Sequence, residues 1–177
     1  KKLTASSSST LSFVDGASSV VLDNTYKEYV FTFNNIHAAT DNVEFQFNVS
    51  IDGGSNYNVA KTTTYFRAYH YEDGSDAALG YRTPRDLAQG TGFQALTEGQ
   101  GNGNDESCSG QLTIFNPSSS VFAKHFIARN SMYGRTDYEM DIYVAGYANN
   151  TSAVDAVQFK MSSGNIDSGD ICLYGIA

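Results

Sequence analysis

Hydrophobic and polar residues alternate along much of this chain with the two-residue period of a β-strand. In 43–51 the odd positions are Val43, Phe45, Phe47, Val49 and Ile51, and the even ones Glu44, Gln46, Asn48 and Ser50. That pattern puts one face in a core and the other in water. The same rhythm gives a strand at 28–36, with Tyr29, Phe31 and Phe33 together. Another falls at 61–71, where Tyr65, Arg67, Tyr69 and Tyr71 share one face and Thr64, Phe66, Ala68 and His70 the other. Tyr138, Met140, Ile142 and Val144 point inward from 137–148, as do Val157, Phe159 and Met161 from 156–161; shorter strands are predicted at 111–116, 121–130 and 171–176. Helical periodicity is confined to one turn at 83–88, with Thr83 as cap and Pro84 at its first position.

The turns between these segments carry their own chemistry. Asp52-Gly53-Gly54 follows the 43–51 strand, and successive residues able to take φ > 0 are what a tight hairpin needs. Ser50, Asp52, Gly54 and Tyr57 have the spacing Ser-x-Asp-x-Gly-x-x-aromatic, which resembles the Asp-box hairpin of sialidases and many unrelated β-proteins. In such a turn the carboxylate accepts amide hydrogens, the glycine is left-handed and the aromatic ring packs on the turn. A rigid hairpin is therefore expected here, with 61–71 as its return strand. Asp15-Gly16 predicts a second hairpin within 13–22. The strand pattern lapses over 72–110, a long insertion whose 96–110 portion reads as a Gly/Asn/acid loop and a place for function or oligomer contacts. The whole predicts an all-β fold: an antiparallel, jelly-roll-like β-sandwich of about eight to ten strands, occupying 11–177 as one domain after a leader at 1–10.

Composition narrows the partners. At 177 residues there is room for one sizeable core. Only 17% of residues are charged, and the bulk comes from 12 Tyr and 11 Phe without Trp. A net charge of −8 opposes nucleic acid and anionic membrane surfaces as partners. No run approaches a membrane span. The chain opens at Lys1, without Met, as a processed or partial product does. Cys108 and Cys172 read as unlinked thiols, a bridge from the loop edge to the last strand being the alternative.

Candidate chemistry is sparse. Gly99, Gly101 and Gly103 lack the helix and lysine of a phosphate loop. Asn102, Asn104, Asp105 and Glu106 offer oxygen ligands without a calcium-loop spacing. Glu139 and Asp141 lie two apart on a strand, roughly 7 Å between carboxylates, where alternate charges form an ordinary solvated face. His37, His70 and His125 are isolated, and no nucleophile elbow occurs. No catalytic, cofactor or metal site is predicted. Tyr65, Tyr69 and Tyr71 with Arg67 form the best candidate for a binding face, for rings that stack on sugars beside fixed donors, or for an aromatic interface.

The segment SSGNIDSGDICLYGI (162–176) resembles the C-terminal end of a group of uncharacterised virion structural proteins from marine and freshwater tailed phages. The opening TASSSSTLSFVDG, the stretch around SIDGGSNY, and the portion from RDLAQGTGF to LTIFNPSSS are similar to segments of the same group, so the likeness spans nearly the whole chain. It implies a non-enzymatic β-sandwich on the virion surface, of tail-fibre or capsid-decoration type, among other virion proteins. With the acidic, Tyr-rich composition it implies self-association, a trimer being favoured. A lectin-like module recognising host surface glycan is the alternative.

Overall fold

The computed structural model describes residues 1–177. Twelve strands form two antiparallel sheets. The larger has eight, in the order β1 (Lys2–Thr4), β12 (Ile166–Ile176), β3 (Glu28–Ala38), β8 (Cys108–Phe115), β9 (Lys124–Gly134), β10 (Tyr138–Ala148), β5 (Lys61–Tyr71) and β6 (Ala77–Tyr81). The smaller has four: β2 (Leu11–Val14), β11 (Ala156–Met161), β4 (Phe45–Ser50) and β7 (Gln94–Ala95). The fold is thus the expected all-β sandwich. Short β1, β6 and β7 take it past the predicted strand number.

The core lies where the inner faces meet, around Phe159 of β11. Its ring stands 5.3 Å from Phe31 and from Phe33 across the sandwich, and 5.7 Å from Phe45 on the neighbouring strand. All four are buried. Offset and edge-on rings add roughly 0.5–1.5 kcal/mol per pair to the burial of their area.

Three expectations are corrected. Asp52-Gly53-Gly54 does not join paired strands: β4 belongs to the small sheet and β5 to the large one. Both edges of β4 are occupied, by β11 and β7, so no edge is left for a return strand. The turn is instead the corner at which the chain changes sheets. Its local chemistry is as predicted. Ser50 Oγ donates to Asp52 Oδ1 at 2.7 Å, and Asp52 accepts the Asn56 amide at 2.9 Å. Hydrogen bonds from Asn56 and Ser50 hold the Asp52 carboxyl down at about 2. Gly53 and Gly54 have φ of 71° and 80°, and a Cβ on Gly54 would lie 2.8 Å from the Tyr57 hydroxyl.

Residues 13–22 make no hairpin either. β2 pairs with β11, and Val20 and Leu22 enter the core from a loop pinned by Asp15, which accepts the Leu22 amide at 2.8 Å. Lys2–Thr4, within the stretch read as a leader, pair with Asp170–Cys172.

The third correction concerns 72–110. β6 folds back on β5, a 3-10 turn follows at Thr83–Arg85 with Arg82 rather than Thr83 in the cap position, and Gln94–Glu98 are buried. The large sheet is wider than the small one, and this segment covers the remaining inner face. Its amides satisfy buried backbone carbonyls: Gln94 Nε2 donates to Ala95 O at 2.9 Å and Gln100 Nε2 to Ile36 O at 2.6 Å. Both cysteines are free; burial pushes the Cys108 thiol up.

Candidate functional site

The inner face of β5 changes character along its length. Lys61, Thr63 and Tyr65 are buried, whereas Arg67, Tyr69 and Tyr71 are half-buried where the small sheet ends. Tyr65 therefore leaves the predicted face and joins the core, with its hydroxyl buried and without a hydrogen-bond partner. Burial pushes its pKa up beyond the ordinary tyrosine range. The other three residues line a cleft of about 240 Å³, with Tyr138 and Met140 of β10, Arg85, Glu98, Gly99 and, from the β9–β10 turn, Arg135 and Thr136. Met140 lies opposite Tyr69 and Tyr138 opposite Tyr71 in the ladder, so period-2 alternation alone brings them to one face.

Glu98 organises the cleft floor. Its side chain is only 8% exposed, and it accepts Arg67 Nη1 at 2.9 Å, Arg82 Nε at 3.2 Å and, closer still, Arg82 Nη2. Arg85 Nε stands 3.6 Å from it and makes no hydrogen bond, while Arg85 Nη2 reaches Glu44 at 2.8 Å. Bonding to Glu98 raises the Arg82 value above the usual arginine range. A carboxylate engaged on both oxygens by guanidiniums is a charge anchor: three of its roughly four acceptor sites are taken, and the neighbouring cations oppose its protonation.

Aromatic rings form the walls. Arg67 lies over the Tyr69 ring, 5.1 Å from its centroid. Tyr69 meets Tyr71 edge-on at 5.9 Å, and Tyr71 leans on Tyr138 at 5.3 Å. The Tyr69 hydroxyl donates to Asp76 at 2.7 Å, which raises its pKa and ties the ring to the β5–β6 hairpin. Tyr138 Oη donates to Gly99 O at 3.1 Å. Gly99 has φ of 69°, and a Cβ there would lie 2.7 Å from that hydroxyl, so only glycine fits.

The remaining candidates lie apart. Glu139 and Asp141 are on the outer face of the large sheet, where Asp141 pairs with Arg129 at 2.9 Å and Glu139 accepts Ser131 Oγ at 3.2 Å. Arg129 holds the Asp141 carboxyl below its usual range. Glu106 turns back to accept the Gly103 amide, and His37 Nε2 lies 3.0 Å from Gly103 O. No three His, Cys, Asp or Glu side chains cluster as a metal site would require. Arg82, Arg85, Glu98, Arg135 and Tyr138 were not singled out from the sequence as site residues. Their one signal is that all five of the chain's arginines fall within 67–135, four of them (Arg67, Arg82, Arg85 and Arg135) at the cleft.

No protein-family model matches this chain, and no curated protein or solved structure matches it either.

Proposed function

We propose that this chain is a non-enzymatic surface component of a tailed-phage particle, working through association with copies of itself. The observation that carries the reading is the free edge of the large sheet. β6 ends the strand order, and all five of its residues, AALGY, are exposed, Leu79 by 74%. It has neither the charges nor the proline that protect a solvent-facing edge from pairing. Beside it Tyr81, Phe66 and Tyr143 form one cross-strand row, with the Phe66 and Tyr143 rings stacked at 4.8 Å. The likeness to virion proteins over 162–176 supports placing such a module on a particle. Light scattering on the purified chain is expected to give a discrete oligomer, and Leu79→Asp to shift it to monomer with unchanged circular dichroism. A parent chain that stays monomeric at high concentration overturns this reading.

Attachment to host glycan is favoured by a different observation, the half-exposed Tyr69 and Tyr71 beside Arg67 in a solvent-open cleft. On that reading Tyr69→Ala reduces particle binding to host cells while the fold is retained.

A further inference from the structure

We infer that the β5 cleft binds the carboxylate of an acidic saccharide, with Arg135 and Arg67 as its guanidinium partners and Tyr69 and Tyr71 as the surface for the sugar ring; this rests on the attachment reading and names its ligand class. The chain carries a net charge of −8. Yet the cleft lining holds three arginines against one carboxylate, Glu98. Arg82, bonded to Glu98, and Glu44, bonded to Arg85, add one charge of each sign, so these six groups carry an excess of two positive charges, which Asp76 on the Tyr69 hydroxyl reduces to one. Fixed excess charge of one sign, gathered in a concave site on a chain of the other sign, focuses potential for a counter-ion.

The individual donors point the same way. Arg135 is exposed at the rim and forms no ion pair, its only hydrogen bond being its backbone amide to Gly99 O. In the lining itself, Arg85 Nε is a buried polar atom without a hydrogen-bond partner. Buried donors are normally satisfied, and unsatisfied ones beneath a cleft mark where a ligand or water completes them. Glu98 does not repel an incoming anion strongly, because its charge is already spent on Arg67 and Arg82. A guanidinium fork matches a carboxylate in two parallel hydrogen bonds, which a hydroxyl cannot reproduce. The half-buried tyrosines supply flat apolar area for a ring rather than a groove for an extended chain. At about 240 Å³ the cleft is smaller than a drug-sized site, which suits one sugar residue.

The test is titration of the purified full chain with glucuronate and with glucose, which differ at the carboxylate, by saturation-transfer NMR and calorimetry. Glucuronate is expected to bind at least about tenfold more tightly, with affinity falling as salt rises. Arg135→Ala should lower that affinity about tenfold, and Arg135→Lys should restore only part of it, since lysine keeps the charge but loses the fork. Equal binding of the two sugars, or unchanged glucuronate affinity in Arg135→Ala, overturns the inference. So does an acidic tetrapeptide that outcompetes glucuronate. Sugar binding without acid preference, abolished by Tyr69→Ala, refutes the carboxylate and leaves attachment standing. Particle adhesion unaffected by Tyr69→Ala removes attachment itself.

Discussion

Lys61, at the start of β5, and Glu98, beneath its far half, are both buried ions, and their surroundings are opposites. Lys61 Nζ donates to Asn48 Oδ1 at 2.5 Å and to Val59 O at 2.8 Å, and no carboxylate is near enough to pair with it. In the same row across Ala148 lies Lys124, also buried, whose ammonium donates to Phe122 O and Asn150 O. Burial lowers both amines, Lys61 to about 7. Glu98, by contrast, has arginines on both oxygens and a third at 3.6 Å. One end of the strand tolerates a cation whose protonation responds to pH; the other fixes an anion under permanent cations. Neutral dipoles can accept either protonation state of an amine, whereas guanidiniums cannot give up their charge.

The largest effect expected from breaking this contrast is at Glu98. Glu98→Ala leaves Arg67, Arg82 and Arg85 crowded without their shared anion, and uncompensated buried charge costs about 3–5 kcal/mol. For a chain of this size that corresponds to a fall in Tm of roughly 10 °C. Thermal unfolding followed by circular dichroism measures it, and a variant melting with the parent would show that the cluster carries no stability.

Lys61 sharpens the comparison through pH. Its folded-state value, about 7, lies below the ordinary 10.5, so between those limits the unfolded chain binds more protons than the folded one. Stability attributable to this group therefore rises with pH across that window, and is lowest below pH 7. The gain from pH 7 to pH 9 is on the order of 2 kcal/mol. Lys61→Met removes the group and should flatten that part of the profile, making the variant more stable than the parent at pH 6. Denaturant midpoints at pH 6 and pH 9 decide it; parallel profiles for the two chains would show that Lys61 does not titrate in the folded state.

The legibility of these features in the sequence follows the range of the interactions involved. β3, β5, β10 and β11 are visible because alternation is local, and the Ser50–Asp52–Gly54–Tyr57 turn because its hydrogen bonds span a few residues. Which strand pairs with which is not visible: alternation leaves β4 free to receive β5, and only the tertiary arrangement fills both its edges. The same holds at the site. Alternation within one strand identifies Arg67, Tyr69 and Tyr71, and it groups Tyr65 with them because periodicity assigns a face but does not say where along it the opposing sheet stops. Glu98 lay in a stretch whose glycines and acids suggest a loop. Its burial depends on contacts with Arg67 and Arg82, 31 and 16 residues away.

The smallest expected effect separates an arginine bonded within the cleft's ion cluster, Arg82, from the one without an ion pair, Arg135. Arg82 bonds Glu98 through Nε and Nη2 from a partly exposed position, so Arg82→Ala should cost about 1 kcal/mol after solvent screening, a Tm loss of a few degrees. Arg135 forms no ion pair, and its backbone bond to Gly99 O survives any side-chain change. Arg135→Ala should therefore fall within about 0.5 kcal/mol of the parent, as exposed substitutions away from special contacts do. Differential scanning calorimetry of the two variants side by side compares them directly. If Arg135→Ala is destabilised as much as Arg82→Ala, then Arg135 belongs to the structural cluster, the excess charge is already used by the fold, and an anionic ligand is no longer needed to account for it.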